Sequence, residues 1–192
     1  MKNNLTEKDI ENLNKWAEAY DIDELKIKDK EKIFNLEELH IISVSLTELP
    51  KEIGNLTNLK SLYIDCYSNE LPKEIFNLIN LEELHIISVS LTELPKEIGN
   101  LTNLKRLDIR TNNFTKLPKE IGNLINLEKL SIDCNNLEIS PDGIEKLINL
   151  EKLNIDINII NENFNFKSFP IEEIGKLNNL KDLSIRIRKW EK

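Results

Sequence analysis

The segment from Asn35 to Lys60, NLEELHIISVSLTELPKEIGNLTNLK, recurs letter for letter from Asn80 to Lys105, 45 residues downstream. An internal copy of this kind restricts the fold more than any other feature, because identical segments must find equivalent surroundings. Inside it lies a shorter unit: Leu36, Leu39 and Ile41 in the pattern L-x-x-L-x-I, then Leu46, Leu49-Pro50, Ile53 and Leu56, and a return at Leu59. Unit starts fall at Leu36, Leu59, Leu81, Leu104, Leu127, Leu150 and Leu180, with spacings of 23, 22, 23, 23, 23 and 30 residues. Ile22-x-x-Leu25-x-Ile27 reads as one further, degenerate start.

A single unit has apolar side chains on one side only and buries them only by stacking on neighbours. In L-x-x-L-x-I the second leucine and the isoleucine alternate with polar residues, the period of a half-buried strand. Successive strands are therefore expected to pair in parallel. The L-P-K-E-I-G-N-L stretch returns on the other side, where proline opens a helical turn without an N–H to satisfy. Short helical or 3-10 turns are expected there. An asparagine precedes each strand, at Asn35, Asn58, Asn80, Asn103, Asn126, Asn149 and Asn179. Its amide is placed to bond the backbone of the coil beside it.

This register of leucines resembles the leucine-rich repeat family, in its form of about 23 residues with an L-P-x-E-I segment, over residues 22 to 192. The resemblance implies an α/β fold: a right-handed solenoid with a parallel β-sheet on its concave face and short helical turns outside. It also implies a surface for protein recognition, although a fold by itself does not fix a purpose. Residues 1–21 are expected to form a capping helix and residues 22–192 the repeat domain. In the first of these Thr6 is placed as N-cap with Asp9 three residues on, close to a capping box. Ile10, Leu13, Ala17 and Tyr20 share one face, with Trp16 beside them; such a helix would cover the open end of the first coil. A membrane-surface helix would instead be rich in Lys and Arg.

The segment MKNNLTEKDIENLNKWAEAY lacks the apolar stretch of a secretory signal peptide, and no apolar run approaches a bilayer span. A cytoplasmic location, with no membrane contact, is the expectation. A net charge of −8 argues against nucleic acid, which calls for clustered Lys and Arg. The Lys-Glu pairs of the P-K-E segments read as a solvated outer surface. The Asn-, Ile- and Lys-rich wording is bacterial in character, as from an AT-rich genome.

Cys66 and Cys134 occupy the same slot three coils apart, roughly 14 Å at about 4.8 Å per coil, beyond disulfide reach. Free thiols are expected, in keeping with a reducing compartment; Ser43, Ser88 and Thr111 fill that slot elsewhere. His40 and His85 sit at the outward middle of the first and third strands with Tyr63 between them. Two coils separate them by roughly 10 Å, too far to share a zinc at about 2 Å per bond, so no metal is expected. No Gly-rich phosphate loop, Ser-His-Asp set or Cys-x-x-Cys pair occurs. Neither a cofactor nor catalysis is expected.

The informative surface is the strand face. Its outward positions are Glu38, His40 and Ile42, then Ser61, Tyr63 and Asp65, then Glu83, His85 and Ile87, then Arg106, Asp108 and Arg110. Lys129, Ser131 and Asp133, then Lys152, Asn154 and Asp156, then Asp182, Ser184 and Arg186 complete it. Aromatic and aliphatic residues with a charged rim are the composition of a protein-binding patch. The residues assigned to partner binding are Glu38, His40, Ile42, Tyr63, Asp65, Glu83, His85, Ile87, Arg106, Asp108 and Arg110. Seven strands span roughly 30 Å, enough for an interface of about 800 Å² per partner. Against this, exact duplication alone would copy Ile42 into Ile87.

Two irregularities remain. In the long sixth unit, IINENFNFKSF, Phe169 replaces the leucine before Pro170 and is expected in the core. Phe164 and Phe166 either fold back over the coil or project as loop contacts for a partner. The last unit ends on Leu180-x-x-Leu183-x-Ile185 and RIRKWEK, leaving apolar surface and a strand edge that arrays normally protect. Arg186, Arg188, Lys189 and Trp190 would shield it, or two chains meet there, giving a monomer or a weak end-to-end dimer. The function expected is a non-catalytic interaction scaffold with a protein partner on the concave face. The alternative is an exported effector or an accessory recognition subunit of an enzyme complex.

Overall fold

Each L-x-x-L-x-I unit forms a strand in the computed structural model, which describes residues 5–135, 138–139, 141–159 and 169–189. The strands are β1 (Glu38–Ser43), β2 (Ser61–Cys66), β3 (Glu83–Ser88), β4 (Arg106–Thr111), β5 (Lys129–Asn135), β6 (Lys152–Ile159) and β7 (Asp182–Lys189). They make one sheet in chain order, every pair parallel and in register, so that Leu39 meets Leu62, Leu62 meets Leu84 and Leu84 meets Leu107. The inward Leu and Ile of β1 to β6, from Leu39 and Ile41 to Leu153 and Ile155, are each at most 1% exposed. The apolar stripe of one coil is thus sealed by the next, as stacking requires.

On the return side, 3-10 turns occupy Lys51–Asn55, Lys73–Asn77, Lys96–Asn100 and Lys119–Asn123. The tightness follows from the proline: its carbonyl accepts the N–H three residues on, as Ile53 N–H donates to Pro50 O at 3.2 Å, closing a 3-10 ring. Ile53 and Leu56, three apart, are completely buried. Four-residue helical turns take the same place at Pro141–Ile144 and Ile171–Ile174. A two-residue parallel ladder, Lys116–Leu117 with Glu138–Ile139, adds a feature that the leucine spacing does not announce.

The asparagines form a ladder. Asn58 Nδ2 donates to Phe34 O at 3.0 Å, Asn80 to Thr57 O at 2.8 Å, Asn103 to Ile79 O at 2.8 Å and Asn126 to Thr102 O at 2.8 Å. Asn149 and Asn179 continue it to Ile125 O and Ile148 O at 2.8 and 2.7 Å. Each amide satisfies a carbonyl at a turn that has no strand partner.

The helix α1 (Glu7–Tyr20) opens on a complete capping box: Asp9 N–H donates to Thr6 Oγ1 at 3.1 Å and Thr6 N–H to Asp9 Oδ2 at 2.8 Å. Ile10, Leu13 and Ala17 are buried in the same core as the strands, and Trp16 and Tyr20 pack against it. Two segments depart here from the repeat pattern. Ile22 to Ile27 is not a strand but a 3-10 turn at Asp23–Leu25. The reason is that Asn14 Nδ2 takes the carbonyls of Leu25 and Ile27, at 2.5 and 3.0 Å, so this backbone is spent on α1 and not on a ladder. Glu52, one of the P-K-E acids, is buried instead of solvated and accepts from Asn12 Nδ2 at 3.0 Å; α1 lies over it.

At the other end, β7 leaves Leu183 50% exposed, with Ile185 and Ile187 only partly covered. Arg188 does not shield this edge, because its guanidinium bonds Asp156 of β6 at 2.9 Å. Phe169 is partly buried against the core, whereas Phe164, Phe166 and Trp190 lie outside the described residues. Cys66 and Cys134 are buried and neither forms a disulfide. Among the described residues no helix is long and apolar enough to cross a membrane.

Candidate functional site

Parallel register turns the outward positions into columns. In the central one His40, Tyr63 and His85 are directly opposed, with ring centroids 6.0 Å apart at both steps and interplanar angles of 38° and 33°. The rings are held from both ends. His40 Nδ1 lies 3.5 Å from Glu24 Oε1. His85 Nδ1 lies 2.9 Å from Asp108 Oδ2 and its Nε2 3.4 Å from Glu83 Oε2. The same Asp108 oxygen accepts from Arg106 Nε at 2.9 Å and sits 2.8 Å from Arg106 Nη2. A continuous row of rings and charges therefore crosses β1 to β4 with its side chains oriented in advance, which lowers the ordering cost of binding. No group of three metal-ligating side chains occurs among the described residues.

Beside this row lies an apolar patch larger than the sequence reading assigned. Ile42 is 59% exposed, and Val44, Tyr67 and Val89 are 78%, 48% and 38% exposed. Ile87, expected to match Ile42, is only partly exposed. Val44, Tyr67 and Val89 each directly follow one of the register partners Ser43, Cys66 and Ser88. Carrying the two-residue alternation one step past each strand would have found them.

Among the other assigned residues, Glu38, Glu83 and Arg110 are exposed and Asp65 half-buried on the rim. Beyond β4 the face becomes an open groove of about 440 Å³ lined by Arg106, Arg110, Lys129, Lys152, Arg186 and neutral Ser131, Asn154 and Ser184, with Asp108 and Asp182. Burial, and then the nearby Asp156, push the Asp133 carboxyl up, against the pull of Arg110 and Arg188. On the flank of the sheet, cross-coil ion pairs follow the asparagine ladder: Lys60–Glu37 at 2.9 Å, Lys105–Glu82 at 2.7 Å and Lys181–Glu151 at 2.7 Å. The lysines hold the Glu82 and Glu151 carboxyls below their ordinary range; being exposed, such pairs contribute little to stability. Burial pushes the Cys66 thiol up, away from the thiolate form that acts as a nucleophile.

The arrangement is an orderly surface with an apolar and aromatic half over β1 to β3 and, over β4 to β7, a half of mixed charge with cations in excess. A family profile described as a leucine-rich repeat region matches residues 84–192, more than half of the chain. The chain belongs to the leucine-rich repeat family. No curated protein matches this leucine-rich repeat chain. Solved structures resembling it include a leucine-rich repeat protein of Leptospira interrogans, 26% identical with a TM-score of 0.37, over 84% of this chain and 58% of that one. The leucine-rich repeat domain of the type III effector XopL is 24% identical, with a TM-score of 0.49, over 80% of this chain and 70% of its own. The leucine-rich repeat ectodomain of the Arabidopsis thaliana receptor kinase GASSHO1/SCHENGEN3, solved in complex with CASPARIAN STRIP INTEGRITY FACTOR 2, is 24% identical with a TM-score of 0.49. That match covers 80% of this chain and 22% of the ectodomain.

Proposed function

We propose that this leucine-rich repeat chain is a non-catalytic scaffold that binds a protein partner across β1 to β4, working in the cytoplasm. The observation that carries the reading is the joint exposure of Ile42, Val44 and Tyr67, at 59%, 78% and 48%, beside the stacked His40, Tyr63 and His85 rings. Large apolar groups held in water at and just past the strand ends cost free energy that a partner recovers on docking. Aromatic anchors at the centre and the charges of Glu38, Glu83, Arg106 and Arg110 at the rim match the anatomy of protein interfaces. Leucine-rich repeat domains generally mediate protein–protein contacts, which supports the same reading.

The test compares affinity capture from the source lysate by the wild type and by the His40→Ala/Tyr63→Ala/His85→Ala variant, with circular dichroism confirming that both are folded. Loss of three central anchors is expected to weaken the specific partner by about 100-fold or more. A partner retained equally by both would overturn the assignment. We also propose weak self-association through the β7 edge, where Leu183 is half exposed and the strand has one neighbour in the sheet. Light scattering is expected to show mass rising with concentration; a constant monomer mass would remove the idea.

A further inference from the structure

The strand face changes sign along its length. Over β1 to β3 its charged outward groups are carboxylates, Glu38, Asp65 and Glu83; over β4 to β6 the carboxylates Asp108, Asp133 and Asp156 are outnumbered by Arg106, Arg110, Lys129 and Lys152, and Arg106, Lys129 and Lys152 stand opposite one another in register. Like charges directly opposed across strands are unfavourable unless counter-charges meet them, and the counter-charges here are incomplete. Arg106 is committed to Asp108 at 2.8 Å, and Lys152 reaches Asp182 only at 3.6 Å with its side chain 55% exposed. Lys129 has no carboxylate within ion-pair distance among the described residues; Glu151 feels both lysines but is itself paired to Lys181 at 2.7 Å. Beside the lysines, Ser131, Asn154 and Ser184 line the groove floor as neutral hydrogen-bond donors. This basic groove stands out on a chain whose net charge is −8.

We propose that the groove over β4 to β6 is a binding site for an acidic polypeptide segment, whose carboxylates bridge Lys129 and Lys152 and accept from the Ser131 and Asn154 side chains. The proposal rests on the reading of the strand face as a partner surface and adds the partner's chemistry and direction. Its acidic portion lies over β4 to β6, and its apolar or basic portion over the ring row and acidic rim of β1 to β3. A nucleic acid fits less well. Three strands span roughly 10 Å, room for few phosphates, and the aromatic rings lie on β1 to β3 whereas Lys129 and Lys152 lie on β5 and β6, so rings and lysines do not alternate, as stacking of successive bases would need.

The test is fluorescence anisotropy with a labelled octaglutamate peptide. The wild type is titrated beside Lys129→Glu/Lys152→Glu and beside Lys73→Glu/Lys96→Glu, a variant of equal net charge altered on the turn side. Saturable binding is expected to the wild type, weakened about tenfold or more by the strand-face pair and weakened much less by the turn-side pair. Binding is also expected to fall as salt rises. No saturable binding, equal weakening by both variants, or tighter binding of an oligothymidylate of equal length would overturn the proposal. Lysate capture separates the two ideas. A partner lost with the His40/Tyr63/His85 variant but held by the Lys129/Lys152 variant leaves the partner surface standing and defeats the acidic groove. Octaglutamate binding that needs Lys129 and Lys152, with the captured partner indifferent to the ring row, does the reverse.

Discussion

Gly54→Val is expected to destabilise the protein by roughly 3 kcal/mol or more, the range of severe packing defects. A Cβ at Gly54 would stand 2.2 Å from the carbonyl oxygen of Glu74 and 2.6 Å from its carbon. These are backbone atoms of the next coil, so neither residue can yield by changing rotamer, and the two turns would have to separate. The neighbouring coil shows what separation requires. At the equivalent position it carries Phe76, completely buried, and its turn at Lys73–Asn77 packs on Lys96–Asn100 less closely than the turns before and after pack on theirs. Phe76→Ala should therefore cost about 3–5 kcal/mol by opening a cavity. Urea denaturation of the two variants measures both effects. A Gly54→Val midpoint close to that of the wild type would show that the coils are not in this contact.

Leu107→Ala is expected to cost about 2–5 kcal/mol, and Leu183→Ala less than about 1 kcal/mol, within the range for surface substitutions. The two leucines hold the same place in their units. Leu107 is completely buried between β3 and β5, whereas Leu183 is 50% exposed on the last strand. In a stacked array each coil is stabilised by its own contacts and by both neighbours, so the loss depends on how many neighbours there are. Equal losses at the two sites, measured by denaturation, would mean that the β7 edge is covered.

The seven strands, the 3-10 turns and the asparagine ladder were legible because each depends on one residue type at a fixed spacing, repeated until chance is excluded. The capping box was legible from Thr6 and Asp9 alone. What escaped depended on neighbours in space. The Ile22 to Ile27 segment keeps the spacing of a strand, but the carbonyls of Leu25 and Ile27 are taken by Asn14, 11 and 13 residues before them. Glu52 looks like every other P-K-E acid until α1 covers it. Ile42 and Ile87 are identical in sequence context, yet one is exposed and the other half-covered, because β1 lies at the edge of the sheet and β3 has a strand on each side. Val44, Tyr67 and Val89 lie one step past the strand ends, where the L-x-x-L-x-I pattern no longer marks a face. The cross-coil Lys-Glu pairs needed the register, which fixes which lysine stands beside which acid.

The proposed docking of a protein partner uses the strand face of β1 to β4 and not the turn side. Site-specific photocrosslinking tests it most directly, with a benzophenone side chain introduced at position 63 in one sample and at position 73 in another, each irradiated with the captured partner. A covalent adduct is expected from position 63 and none from position 73. An adduct from position 73 alone would contradict the proposed docking.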